Sequence, residues 1–137
     1  MNVKDNDIKD LLSQYKKLAV YGLSPDTEKP SYSVPHYIRT KGWEVVGIYP
    51  KPHAEGGFKI YSNLNELPAE FKKFLVVFRS SEKVPEVVDE VLNTSGIEVL
   101  WLQLGISNAE AETRAELAGL KVVSNRCLVI EHKKWFR

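Results

Sequence analysis

The chain of 137 residues is long enough for one compact core, whereas halves of it would bury too little apolar surface to stand alone. Its 19 Lys and Arg nearly balance 18 Asp and Glu, so the formal charge of +1 supplies no long-range field toward nucleic acid or an anionic membrane. The single cysteine, Cys127, excludes an intrachain disulfide framework, no apolar segment approaches the roughly 20 residues that span a bilayer, and the opening residues from Met1 to Asp7 lack a signal-peptide core. The expectation is a cytoplasmic protein with a single domain over residues 1–137, binding neither nucleic acid nor membrane.

In chain order, Asn6 or Asp7 is expected to cap a first helix within residues 1–17, with Ile8, Leu11, Leu12 and Tyr15 on the face that packs on a sheet. Residues 18–21 form an unbroken apolar strand of the kind buried on both faces of a parallel sheet. Val34, Tyr37 and Ile38 mark the inner face of the next helix, stopped at Gly42, and Pro35 is compatible with it if the helix starts late, near Tyr32 or Ser33. Residues 44–49 read as a second strand ended by Pro50, Lys51 and Pro52, residues 60–61 as at most a short strand, and Leu64, Leu67 and Phe71 as a helical turn interrupted by Pro68. A strand at 74–78 and a helical stripe of Val84, Val87, Val88, Val91 and Leu92 follow. Then come a strand at 98–102, a helix at 109–118 capped by Asn108 and stopped by Gly119, and a last strand at 120–123. The period of residues 128–137 fits helix and strand equally well.

Alternating helices and strands with short connections predict an α/β, Rossmann-like doubly wound fold, with a mainly parallel sheet of about five strands and helices on both faces. Ligands of such sheets bind beyond the carboxyl ends of the strands, near the point where strand order reverses. The residues just after each strand therefore carry the functional weight. They are Gly22, Leu23 and Ser24 with Lys29, Pro30 and Ser31; Tyr49, Pro50 and Lys51; Arg79 and Ser80; Gln103 and Gly105; and Asn125 and Cys127.

The first of these groups reads as a phosphate-binding loop. Gly22 allows close backbone approach, Ser24 and Ser31 offer hydroxyls, Lys29 adds a cation, and a helix N-terminus presents unpaired N–H groups. An ordinary strand-to-helix connection would need only the glycine and a cap. A dinucleotide fingerprint is absent: Gly22, Leu23 and Ser24 include one glycine, and Tyr49, Pro50 and Lys51 stand where an acidic residue would meet ribose hydroxyls. Lys29, Lys51 and Arg79 could instead converge on a ligand with separated phosphates, which suits coenzyme A and, less well, NADP.

These residues carry a resemblance. Gly22 to Pro25, Lys29 to Tyr32, Pro50 with Lys51, Val77 to Ser80, Trp101 to Ile106, and Asn125 to Leu128 with Glu131 and His132 together resemble the bacterial and archaeal stand-alone CoA-binding domain proteins. These in turn are similar to the CoA-binding domain of the succinyl-CoA synthetase alpha subunit. The resemblance spans residues 18–132 and implies a Rossmann-like fold that binds coenzyme A or an acyl-CoA. It implies that Gly22, Ser24, Lys29, Pro30 and Ser31 line the diphosphate, that Pro50 and Lys51 flank the adenosine end, and that Arg79 and Ser80 lie opposite. Family members often carry Asn before the proline after the second strand; here Tyr49 stands there, which can stack but cannot supply both amide functions.

Catalytic signals are weak. The domains with which related synthetases bind nucleoside triphosphate are absent from this sequence. His36, His53 and His132 have no Ser or Cys partner at a recognisable spacing, and His53 with Glu55 makes a poor metal site. Glu110 and Glu112 suit a helix start, and Trp101 and Trp135 suit packing. Cys127 follows a strand end beside Arg126, which would favour its thiolate if the side chains meet; a small buried hydrophobe is the plain alternative. The expectation is a protein that binds CoA or an acyl-CoA without a reaction of its own; the alternatives are an NADP-dependent oxidoreductase or CoA-dependent transferase using Cys127 or a histidine, and an adaptor that binds no nucleotide.

Overall fold

The computed structural model describes residues 3–136, so Met1, Asn2 and Arg137 of the expected domain lie outside the described residues. Six strands form one sheet: β1 (Lys17–Tyr21), β2 (Glu44–Ile48), β3 (Lys59–Tyr61), β4 (Phe74–Val77), β5 (Val99–Leu102) and β6 (Lys121–Val123). Their order is β3-β2-β1-β4-β5-β6, and every neighbouring pair is parallel. The sheet thus has one strand more than about five. The addition is β3, an edge strand of three residues paired through Val46↔Lys59 to Ile48↔Tyr61 and only half-buried. So short a strand has too few side chains to show a period.

Successive side chains of a strand point to opposite faces, and the core divides accordingly. Leu18 and Val20 of β1 join Phe74, Val76, Val99 and Trp101 under the first group of helices, α1 (Asp5–Gln14), α2 (Pro30–Thr40) and α6 (Leu128–Trp135). Ala19 joins Leu75, Val77 and Leu100 on the other face, under α4 (Val84–Leu92) and α5 (Ala109–Leu117). The short α3 (Ala69–Lys72) leads into β4. No helix among the described residues is long and apolar enough to cross a membrane.

Several local expectations are corrected. The first helix starts at Asp5 after Lys4, so neither Asn6 nor Asp7 caps it; Asp5 and Asp7 sit inside the first turn, where the helix dipole favours a carboxylate. The helix α2 starts at Pro30, not at Tyr32 or Ser33, and takes Pro35 into its interior. Pro30 is already suited to the first position, and the Lys29 carbonyl accepts the N–H groups of Tyr32 and Ser33, so the first turn closes before Pro35 is reached. Pro35 is itself buried between Val34 and Ile38, which offsets the hydrogen bond it cannot donate. The ambiguous tail is a helix, α6, with Leu128, Glu131 and His132 on its buried side. The Asn108 cap is as expected: its side chain accepts the Ala111 N–H at 3.0 Å, and Glu112 accepts the N–H of Asn108 at 2.8 Å.

Candidate functional site

Strand order reverses between β1 and β4, and the segments leaving these two strands are stitched together. Phe78 N–H donates to the Tyr21 carbonyl at 2.9 Å, and Gly22 N–H donates to the Ile48 carbonyl at 2.8 Å. Gly22 has φ +97°, and a Cβ there would stand 2.7 Å from the Phe78 carbonyl oxygen. The close approach expected of this glycine is therefore to the next strand's backbone, and its own N–H is already used within the sheet.

Above this junction lies a cleft of about 510 Å³ lined by Lys29, Pro30, Ser31, Val34, Phe78, Arg79, Ser80, Gln103, Leu104, Ile106 and Cys127. One side is the N-terminus of α2, where Ser31 carries an N–H of the first helical turn and a hydroxyl, and Lys29 lines the same cleft. Arg79 and Ser80 enter from the end of β4. Val34, Phe78, Leu104 and Ile106 make the remainder apolar. A second, smaller cleft of about 100 Å³ is lined by Tyr21, Gly22, Ile48, Pro50, Ser62 and Arg79. Arg79 belongs to both and thus stands at the strand-order switch between them.

Of the residues expected at the site, Lys29, Pro30, Ser31, Arg79, Ser80, Gln103 and Cys127 line the main cleft, and Gly22 and Pro50 line the small one. The others lie outside both linings. Leu23 is fully buried and lies against Gly47, and the Ser24 hydroxyl accepts the Asp26 N–H at 3.0 Å, so both shape the loop from within. Tyr49 meets the ring of His53 edge-on at 5.3 Å, and Lys51 is exposed. Lys29 and Arg79 therefore share a cleft that Lys51 does not line. Asn125, held at φ +57°, accepts the Gly105 N–H at 2.7 Å and donates its own N–H to Ile106, so this pair builds the rim loop.

Gln103 is 3% exposed, and its Oε1 accepts the N–H of Leu128, capping α6 at 3.1 Å. Cap and helix lie 25 residues apart, so no local pattern in the sequence marks Gln103 as a cap. The apolar liners Phe78, Leu104 and Ile106 were also missed as site residues. Leu104 left a signal, since a large apolar side chain in a strand-end loop, here 60% exposed, has no core to serve.

A family model described as CoA binding domain matches residues 16–133. The chain belongs to that family. It is 31% identical over 131 residues to the uncharacterized protein YneT of Bacillus subtilis strain 168, covering 96% of each chain. Among solved structures, a hypothetical protein from Pyrococcus horikoshii OT3 superposes with a TM-score of 0.90 at 31% identity, covering 98% of this chain and 94% of that one. The Thermus thermophilus protein cell-free ID.343 gives 0.86 at 33% identity, covering 98% and 100%. Membership in the CoA binding domain family supports a CoA-binding role in general terms and accords with the resemblance read in the sequence.

The chain's reactive residue types are placed as follows. The Arg126 guanidinium pairs with Asp5 at 2.8 Å and lies 3.6 Å from Glu131, so two carboxylates engage the charge expected to serve Cys127. His36 stacks on Tyr32, and Nε2 of His53 shares a hydrogen bond with the Leu23 carbonyl at 2.9 Å. His132 is buried between the rings of Tyr37 and Phe136; burial, and then the nearby Lys16 and Lys41, hold its imidazole below the ordinary range. None of the three lines either cleft, and no group of three or more metal-binding side chains occurs among the described residues.

Because His132 takes up a proton more readily unfolded than folded, its contribution to stability is full above the ordinary imidazole value of about 6.5. It is lost as the pH falls from there through the lower folded value. Urea unfolding at pH 7.5 and 5.5 should show a larger loss for the wild type than for His132→Gln. Equal losses would mean that the titration lies elsewhere.

Proposed function

We propose that the chain binds coenzyme A across the strand-order switch, with the diphosphate at the N-terminus of α2 between Lys29 and Arg79. The observation that carries this reading is one cleft whose charged end and apolar wall match the two halves of such a ligand. Lys29, Arg79 and the Ser31 N–H and hydroxyl supply charge-assisted donors for phosphate oxygens. Val34, Phe78, Leu104 and Ile106 suit the largely aliphatic pantetheine arm or an acyl chain. The small cleft on the far side of Arg79, walled by Pro50, suits the adenosine end, where the adjoining Lys51 provides charge for a phosphate on the ribose. No acidic side chain ends β2, so the 2′,3′-diol of NAD lacks its usual acceptor.

Calorimetric titration tests this. CoA should bind and NAD should bind more weakly; equal affinities would remove the adenosine end from the β2 side. Each charge-assisted hydrogen bond is worth about 1.5–3 kcal/mol, so Lys29→Ala and Arg79→Ala should each weaken CoA binding by roughly tenfold or more with the fold intact. The cleft is open to solvent, and added salt should weaken binding further. A dissociation constant unchanged in both variants would overturn the placement of the diphosphate.

A further inference from the structure

We propose that Cys127 is a thiol–disulfide exchange site for CoA, so that the chain takes up CoA covalently from CoA disulfide and releases it on reduction. This rests on the CoA reading above and adds a reaction to it. Cys127 lines the main cleft together with Lys29, Ser31 and Arg79. It is the residue that precedes α6, the position from which a side chain commonly caps a helix, yet its side chain makes no cap hydrogen bond. Gln103 makes that bond instead, which leaves the thiol unengaged in the cleft.

The same glutamine points independently to a ligand. Its Oε1 is fixed by the Leu128 N–H, so its other amide end, Nε2, is the donor end, and no protein acceptor for it occurs among the described residues. The side chain is 3% exposed and lines the cleft beside Cys127, so Nε2 is open to the cleft alone and is placed to donate to an acceptor of whatever fills it. The pantetheine arm carries two amide carbonyls in an otherwise apolar chain and ends in a thiol, which matches Nε2, the apolar wall and Cys127 in one ligand. The backbone beneath is held: Arg126 N–H donates to Leu102, and Trp101 Nε1 donates to the Arg126 carbonyl at 2.9 Å.

The chemistry is a balanced exchange. The Cys127 thiolate attacks one sulfur of CoA disulfide, the Cys127–CoA disulfide forms as the original S–S bond breaks, and CoA thiolate leaves and takes a proton from water. The oxidising equivalent arrives with the CoA disulfide, and any small thiol reverses the step. Since Arg126 is engaged by Asp5 and Glu131, selectivity for CoA comes from the bound nucleotide, which raises the effective concentration of the disulfide at Cys127.

Intact-mass kinetics on the folded protein decide it, with CoA disulfide and glutathione disulfide as the two probes. The expected result is an adduct of one CoA, removed by reductant and absent from Cys127→Ser, forming at least about tenfold faster than the glutathione adduct. Arg79→Ala should slow the CoA adduct alone, because glutathione lacks the diphosphate. Equal rates for the two probes, or a folded protein that forms no adduct while the urea-unfolded chain reacts readily, overturn the proposal. A parallel titration of the reduced wild type with CoA separates the two levels. Saturable binding without an adduct overturns the exchange alone, whereas no binding overturns the CoA reading beneath it.

Discussion

Replacing Trp101 by Ala should cost about 3–5 kcal/mol, the range for truncating a large buried aromatic, which is a large part of the roughly 5–15 kcal/mol that stabilises a domain. Trp101 lies on β5, is fully buried, and stacks on Phe74 at 5.9 Å; Phe74 in turn meets Trp43 and Tyr15 edge-on at 5.6 and 5.5 Å. The substitution removes the ring stacked on Phe74, the hub of this aromatic group, and also orphans the Arg126 carbonyl, which the indole N–H holds at 2.9 Å. Trp101→Phe keeps most of the apolar volume and loses the hydrogen bond, so it should cost less than the alanine variant. Urea midpoints with an unchanged slope measure both. Because the same hydrogen bond fixes the backbone before Cys127, Trp101→Phe should also alter the rate at which Cys127 meets CoA disulfide. A loss below about 1 kcal/mol in Trp101→Ala would mean that its neighbours close the cavity.

This aromatic layer also shows where the sequence was informative. Parallel strands buried on both faces read as unbroken apolar runs, so β1, β4 and β5 were legible from Leu18, Phe74 and Val99 onward. The alternation of these runs with helical stripes was enough for the doubly wound topology. Strand β3 was marginal because Lys59, Ile60 and Tyr61 hold their place by pairing with β2, which no local pattern records. Pro35 misled in the opposite sense. By its missing N–H alone Pro35 favours a late helix start, whereas packing of Val34 and Ile38 outweighs the missing donor.

The site was legible in proportion to how far its residues depend on strand ends alone. Lys29, Ser31, Arg79 and Cys127 reach one cleft because the segments that leave β1, β4 and β6 all start from the same edge of the parallel sheet. Roles set by partners distant in sequence were not legible. Asn125 clasps Gly105 across 20 residues, Ser81 Oγ accepts the Ser107 N–H across 26, and Arg126 turns to Asp5 at the other end of the chain. Each is a polar residue at a strand end whose hydrogen-bonding capacity is used by the protein itself, and residue type alone does not distinguish that from a free donor.

Gly22 is the position where loop and sheet constrain each other most tightly, and Gly22→Ala should destabilise the protein by about 2–5 kcal/mol. Two separate costs make up that figure. A left-handed backbone with a Cβ costs roughly 1–2 kcal/mol, and forcing extra volume into a packed site costs roughly 1–3 kcal/mol. Gly22 meets both, with φ +97° and its would-be Cβ 2.7 Å from the Phe78 carbonyl oxygen, a backbone atom of the residue whose N–H is bonded to the Tyr21 carbonyl. Gly119 provides the control, since it has φ +96° but nothing within 4 Å of its would-be Cβ. Gly119→Ala should therefore lose only the backbone term. The difference between the two variants in urea unfolding measures the clash at the strand-order switch. Relief of that clash requires Phe78 to move, and Arg79 with it, so Gly22→Ala should also bind CoA more weakly while Gly119→Ala binds it normally. Equal stability losses would show that β1 and β4 part without cost at this point, and the strand-end segments would then be too loosely joined to hold Arg79 between the two clefts.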